Sequence, residues 1–200
     1  MYGVEATADM ILPGGQRETA LRQEAPHASP EETLVKAVLQ GHRESFDQLY
    51  QLYAPMVHGI LLARVPRIEV EDLVQDIFLH AFKKLGTLRE PNAFGGWLAM
   101  IARNRATDFH RSSHATVEVK EEHATTDRSK RHRAEEILNV IRSLPDAYRE
   151  TLVLRLVEGM TGPEIASRTG LTPASVRVNL HRGLKLLRVK LGMQDPETQS

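Results

Sequence analysis

The chain has 200 residues, of which 41% are hydrophobic and 26% are charged, and its 26 basic residues balance 26 acidic ones. This length suits one large domain or two small ones, and the balanced charge excludes a chain that is basic throughout. The absence of cysteine excludes disulfides, thiolate nucleophiles and cysteine-based metal or redox sites. Neither a membrane-spanning apolar run nor a secretory signal is found, so we expect a cytoplasmic protein with no membrane insertion.

Helical signals follow one another along the first half of the chain. Ser29-Pro30-Glu31-Glu32 predicts a capping box that opens a helix ending near Gln40. Helical spacing continues over 46–53, and an apolar stretch occupies 56–62. The clearest helix is predicted over 70–85, where one face carries Val70, Leu73, Val74, Ile77, Phe78, Ala81, Phe82 and Leu85. A loop follows, and then a helix that ends near Arg111.

Two further helices are predicted at 137–144 and 145–158, after a polar stretch that has almost no large apolar residue. We therefore expect an all-α fold of two small helical domains joined by a flexible linker, the C-terminal one a helix-turn-helix. The expected segments are a disordered tail 1–28, a first domain 29–112, a linker 113–132, a second domain 133–192 and a tail 193–200.

The last predicted helices have the pattern of a helix-turn-helix. Thr161 and Glu164 form a capping box, Gly170 marks a tight turn, and Thr172 caps a new helix. In that helix the buried stripe is Val176, Leu180, Leu184, Leu187 and Leu191. The residues left outside are Ser175, Arg177, Val178, Asn179, His181, Arg182 and Lys185.

Local charge favours nucleic acid as the partner of this helix. Residues 173–194 contain five basic side chains and no acidic one, whereas residues 1–32 contain six acidic and two basic ones. Arginine pairs bidentately with guanine, asparagine pairs with adenine, and valine can contact a thymine methyl group. The alternative is a surface helix whose cations are only solvated, but the turn and the caps favour DNA binding.

Two other surfaces are candidates for function. The outer face of the helix at 70–85 carries Asp72, Gln75, Asp76 and Leu79, which suits either a solvated face or a protein-docking surface. The face of the next helix that is opposite its apolar stripe carries Arg103, Asn104, Asp108 and Arg111, which suits phosphate or unstacked bases. Trp97 lies within the apolar stripe, so we expect it in the core.

Three features follow one another along the chain: the helix at 70–85 with its acidic face, the next helix with its polar face, and the C-terminal helix-turn-helix. Together and in this order they resemble the extracytoplasmic-function sigma factors of bacterial RNA polymerase. The resemblance rests on Glu71-Asp72-Leu73-Val74-Gln75-Asp76-Ile77-Phe78, on Gly96-Trp97-Leu98-Ala99-Met100-Ile101-Ala102-Arg103-Asn104, and on the C-terminal helix-turn-helix, and it covers about residues 31–192. It implies a transcription initiation factor that performs no covalent chemistry and needs no cofactor or metal.

The resemblance also implies a role for each surface. The face with Asp72, Gln75, Asp76 and Leu79 would dock on the β′ clamp helices of the polymerase core, and the β flap would be a second contact. The loop 86–94 and the helix 95–111 would recognise and open the minus-10 promoter element, with Arg89, Asn92, Phe94, Arg103, Asn104, Asp108 and Arg111 as candidates. The residues Ser175, Arg177, Val178, Asn179, His181, Arg182 and Lys185 would contact the minus-35 element. An anti-sigma factor would be a further partner.

Two other functions remain open at this point. A stand-alone helix-turn-helix regulator would bind duplex DNA tightly without polymerase, as a dimer on a palindrome. A metal-dependent enzyme would use His110 and His114, which lie four residues apart, but no third ligand stands at motif spacing.

Overall fold

The computed structural model describes residues 29–113 and 128–193, and the side chains of 29–112 and 133–193. Eight α-helices occupy these ranges, together with 3₁₀ turns at Leu85–Thr87 and Pro91–Ala93. The helices are α1 (Pro30–Leu39), α2 (Arg43–Leu62), α3 (Arg67–Lys84), α4 (Phe94–Ser113), α5 (Arg128–Arg142), α6 (Asp146–Leu156), α7 (Gly162–Thr169) and α8 (Pro173–Lys190). We call 29–113 the N-terminal half and 128–193 the C-terminal half.

The helix caps are largely those that the sequence predicts. Thr161 and Glu164 form a reciprocal capping box at α7, and these hydrogen bonds lower the pKa of Glu164. Gly170 ends α7 in the left-handed conformation with φ 74°, which favours glycine. At α1, Ser29 accepts a hydrogen bond from the amide of Glu32, but the Glu32 carboxylate lies 2.6 Å from Lys36 Nζ. The predicted capping box there is therefore only half formed.

The N-terminal half packs around α2. Helices α1, α3 and α4 all contact α2, and its side chains Leu49, Tyr53 and Ile60 are almost fully buried. They meet Ile77 of α3 and Leu98 of α4 in one apolar cluster. Burial of these side chains is the main force that assembles four helices whose individual propensities are modest.

The C-terminal half is a smaller bundle built on α6 and α8. Leu152 of α6, Ile165 of α7 and Val176 of α8 are buried in a common cluster. Helices α7 and α8 are joined by a short turn at Gly170, which gives the predicted helix-turn-helix. The outer face of α8 is left to solvent.

The two halves are packed against each other, and their buried residues form one continuous cluster. Helix α6 lies against α2, and α7 lies against the start of α4. Glycines permit this close approach: a Cβ on Gly59 would lie 2.7 Å from Leu154 Cδ2, and one on Gly95 would lie 2.7 Å from the backbone oxygen of Arg168.

Long side chains reach across the same contact to backbone carbonyls. Arg142 donates from Nε to the Leu62 carbonyl at 3.0 Å and from Nη2 to the Val65 carbonyl at 3.0 Å. Arg168 donates to the Leu52 carbonyl at 3.0 Å. Leu62 ends α2 and Val65 lies in the turn after it, so Arg142 supplies donors to carbonyls beyond the regular hydrogen bonds of the helix.

Three details differ from the sequence-based expectations. Leu191 of the predicted buried stripe is 37% exposed, because it lies beyond the last residue of α8. Phe82 is 45% exposed and packs by its edge on Phe46 at a centroid distance of 4.8 Å. Helix α5 begins at Arg128, inside the segment that we expected to be linker. No helix within the described ranges is long and apolar enough to span a bilayer.

A cluster of ionisable groups joins α2, α3 and the end of α6. His58 Nδ1 lies 2.6 Å from Glu158 Oε1, and its Nε2 lies 3.6 Å from Glu71 Oε1. The hydrogen bond to Glu158 raises the pKa of His58 above its ordinary value of 6.5, and both carboxylates act in the same direction. Burial and the charge of Arg67 oppose this shift.

Replacing Gly95 by alanine should lower stability. The new Cβ would lie 2.7 Å from the Arg168 carbonyl oxygen and 2.9 Å from Tyr53 Cε1, so backbone must move. We expect a loss of about 1–3 kcal/mol in the free energy of unfolding, measured by urea denaturation. Gly86→Ala is the control, since nothing lies within 4 Å of a Cβ there. Equal stability of the two variants would contradict the packing at Gly95.

Replacing His58 by glutamine should cost more stability at low pH than at high pH. Since the folded pKa of His58 is raised, its charged form stabilises the fold fully below the ordinary value of 6.5. This contribution is lost as the pH rises through the folded pKa. The unfolding free energies of wild type and His58→Gln should therefore differ more at about pH 5.5 than at about pH 8.5. A constant difference would contradict the charged pairing with Glu158.

Candidate nucleic-acid interface

Helix α8 presents its cationic side chains to solvent. Thr172 caps the helix by accepting from the Ser175 amide at 3.1 Å, and the buried Val176 and Leu187 fix which face points inward. The predicted DNA-contacting side chains that are exposed are Ser175, Arg177, Val178, His181, Arg182 and Lys185, while Asn179 is half-buried. The Ser175 hydroxyl lies 2.8 Å from that of Thr172 and is engaged at the cap.

Among the described residues, no carboxylate forms an ion pair with Arg177, Arg182 or Lys185. By contrast, seven described arginines outside α8 form an ion pair with a carboxylate: Arg64, Arg103, Arg105, Arg111, Arg142, Arg149 and Arg168. A row of unpaired cations on one helix face attracts a polyanion and releases its counterions on binding. The N-terminal turns of α8 therefore have the charge and exposure that a DNA contact requires.

The acidic face of α3 is exposed as the sequence predicts. Asp72, Gln75 and Asp76 all face solvent, and Leu79 is 59% exposed. Asp76 pairs with Arg105 of α4, whose Nη2 lies 2.8 Å from its Oδ2. An exposed leucine among carboxylates is suited to a partner that is both apolar and basic.

A groove joins two surfaces that the sequence predicts separately. It lies between α3 and α4, has a volume of about 440 Å³, and is lined in part by Asp76, Leu79, Asn104 and Asp108. The first two are docking candidates and the last two are minus-10 candidates. The sequence shows only that these residues share helix faces, because their approach depends on how α3 crosses α4.

The other minus-10 candidates have unequal accessibility. Arg89 and Asn92 are exposed in the connection before α4, and Arg111 is exposed near Asp108 at 3.7 Å. Phe94 is 1% exposed and packs on Tyr53, with ring centroids 5.1 Å apart. Its ring is therefore not free to stack on a base in this arrangement. Trp97 packs against the same core, as expected.

Arg103, the remaining minus-10 candidate, is held by the C-terminal half. Its Nε and Nη2 donate to the two carboxylate oxygens of Glu150 at 3.1 Å and 2.7 Å. Arg64 Nη2 lies 2.7 Å from the same carboxylate. The sequence analysis assigns no role to Glu150 or Arg64, because the residues they contact stand 47 or more positions away in the chain.

The histidine pair of the enzyme alternative is only partly described. His110 Nε2 donates to the Arg64 carbonyl at 2.8 Å, so this nitrogen has a structural partner. His114 lies outside the described residues. Among the described residues, no group of three or more histidine and carboxylate side chains is placed to hold a metal ion.

Comparisons with known proteins match both halves. The family described as Sigma-70 region 2 matches residues 49–116, and Sigma-70, region 4 matches residues 134–187. RNA polymerase sigma factor CarQ of Myxococcus xanthus is 33% identical over 165 residues, which cover 76% of this chain and 92% of that protein. ECF RNA polymerase sigma factor BldN of Streptomyces coelicolor is 28% identical over 77% of this chain and 63% of that protein.

The fold is also similar to that of solved sigma factors. In a co-crystal structure from Bartonella quintana, the sigma factor RpoE is bound to the anti-sigma factor NepR. It matches with a TM-score of 0.54 at 18% identity, over 76% of this chain and 99% of that chain. This similarity concerns the fold alone.

Proposed function

The chain belongs to the extracytoplasmic-function sigma factors of bacterial RNA polymerase. On this basis we propose a binding role in promoter recognition for each of its exposed surfaces. The acidic face of α3 docks on the β′ clamp helices of the polymerase core, and the C-terminal half contacts the β flap. The connection before α4 and the outer face of α4 bind the minus-10 element. The outer face of α8 binds the minus-35 element as duplex.

The observation that carries this proposal is the separation of charge between two exposed helix faces. Helix α8 presents Arg177, Arg182 and Lys185 without carboxylate partners, which suits a phosphate backbone and base edges in the major groove. Helix α3 presents Asp72, which repels phosphate and therefore suits a protein partner, beside Asp76, which pairs with Arg105. A stand-alone regulator would have no use for the second face.

The minus-10 surface combines exposed polar groups with one arginine, Arg103, that is held by Glu150. Arg89, Asn92, Asn104, Asp108 and Arg111 are accessible. Of these, Asn104 and Asp108 line the same groove as the docking candidates Asp76 and Leu79. A base that leaves the duplex is held by hydrogen bonds to its edge and by stacking. The groove brings polymerase and single-stranded DNA close together, so energy from docking offsets the cost of strand separation.

The protein works without covalent chemistry, cofactor or metal, in the compartment where polymerase acts, the cytoplasm. An anti-sigma factor is the partner that we propose for control, as in the solved relative. Such a partner would cover the exposed α3 face, where Leu79 and the acidic side chains make a mixed apolar and charged surface.

Runoff transcription with bacterial core polymerase and host promoter fragments tests the function. We expect transcripts that depend on this protein, with start sites that identify both promoter elements. The protein alone should bind duplex promoter DNA weakly. Tight binding without polymerase, together with no dependent transcripts, would overturn the proposal in favour of a stand-alone regulator.

Asp72→Lys should reduce runoff yield through loss of polymerase binding. The substitution places a cation on a face that we propose meets a basic partner, and we expect a roughly tenfold weaker affinity for core polymerase, about 1.4 kcal/mol. Glu44→Lys on α2 is the matched control, since it makes the same charge change at an exposed position away from this face. Equal affinities of the two variants, measured by fluorescence anisotropy, would contradict docking through α3.

Arg177→Ala and Lys185→Ala should weaken promoter binding by the holoenzyme in different ways. Loss of a base-edge contact at Arg177 should cost about 1–3 kcal/mol and relax sequence preference at one position. Loss of a phosphate contact at Lys185 should weaken all promoters alike and lower the slope of log K against log salt by about 0.9. Binding titrations on promoter variants at several salt concentrations separate these outcomes, and unchanged affinity in both variants would contradict the role of α8.

A further inference from the structure

One carboxylate joins the two halves at the minus-10 helix. The Glu150 side chain is 5% exposed and contacts both Arg64, 15% exposed, and Arg103, 31% exposed. We call these three residues the ionic clamp. We propose that the ionic clamp holds the free protein closed and blocks the DNA-binding edge of Arg103 until the C-terminal half moves away. The role of Arg103 in DNA binding rests on the proposed function, whereas the closing contact does not.

The ion pair with Glu150 occupies the Nε/Nη2 edge of Arg103. Arginine binds phosphate or guanine through two parallel N–H groups of its planar guanidinium. In Arg103, Nε and Nη2 already donate to the two oxygens of Glu150 at 3.1 Å and 2.7 Å. This edge is therefore occupied by a carboxylate, so DNA can bind through it only after Glu150 leaves.

The burial of the clamp means that it opens as a unit. One carboxylate holds both arginines, so separation of the halves breaks both ion pairs at once. Buried pairs are screened little by salt, so ionic strength alone should not separate the halves. The apolar contact of Gly59 with Leu154 and the Arg168 hydrogen bond to Leu52 must also break during opening. A large macromolecular partner is therefore needed to offset the cost.

The same interface touches the start of the minus-10 helix. The turn of the helix-turn-helix approaches α4 so closely that a Cβ on Gly96 would lie 3.6 Å from Gly170 Cα. Gly95 lies tighter, since a Cβ there would lie 2.7 Å from the Arg168 carbonyl oxygen. The contact thus covers backbone at the first turn of α4 as well as the Arg103 side chain further along, which restricts access to one flank of the minus-10 surface.

Distance measurements on the full chain test the closing contact. Because the chain lacks cysteine, Gln48→Cys and Val189→Cys supply the only labelling sites, one exposed position in each half. Spin labels there should give a single narrow distance distribution in the free protein. Glu150→Gln should broaden it. Asp146→Asn is the matched control, since it removes the same charge from an exposed site on the same helix, and it should leave the distribution narrow.

Binding of a mixed-sequence single-stranded oligonucleotide gives a second readout that needs no polymerase. Glu150→Gln should bind more tightly than Asp146→Asn, although both gain one unit of positive charge. The slope of log K against log salt should steepen by about 0.7 for each phosphate that the released arginines contact. A matching affinity and slope in the two variants would show that Arg103 is not blocked.

Gly96→Leu keeps the proposal testable if Glu150→Gln fails to fold by circular dichroism. The leucine side chain would push against Gly170, while Arg64, Arg103 and Glu150 are not substituted. It should broaden the distance distribution and raise oligonucleotide affinity. A broad distribution in the wild type, or a narrow one in both Glu150→Gln and Gly96→Leu, would overturn the closed state. A narrow wild type without dependent runoff transcripts would instead overturn only the proposed function.

Discussion

Burial of the last two turns of α2, residues 56–62, on nearly all sides is the constraint on which the rest of the structure depends. A helix that is apolar around most of its circumference must be covered completely. Helices α1, α3 and α4 cover one part of its surface, and α6 and α7 cover another. Gly59 allows α6 to approach, because any Cβ there would meet Leu154. The contact between the halves is therefore an extension of the core of the N-terminal half.

Local signals predicted most of the elements, because caps and apolar spacing act over a few residues. Thr161 with Glu164 and Thr172 with Ser175 cap the two helices by hydrogen bonds between near neighbours, and Gly170 supplies the left-handed turn between them. The signals are less reliable where a helix ends. Leu191 continues the apolar spacing of α8 but follows its last residue, so its side chain leaves the buried stripe.

The candidate site was predictable only one face at a time. Asp76 and Asn104 belong to different helices, and their meeting in one groove depends on packing that no short pattern encodes. Phe94 shows the same limit, since this minus-10 candidate from the loop 86–94 packs on Tyr53 of α2. Long-range ion pairs are beyond sequence reasoning for the same reason: arginines and glutamates are common, and only the fold decides which of them meet.

A charged contact at this interface has a consequence that an apolar contact would not have. When two apolar surfaces separate, the free-energy cost depends on the apolar area exposed to water and not on the chemistry of the partner that separates them. Arg103 and Glu150 also expose charges of opposite sign, and each is then free to bind a different partner. A nucleic acid suits the arginine and repels the carboxylate, so DNA at α4 disfavours the return of Glu150. Opening and DNA binding therefore favour each other through one side chain.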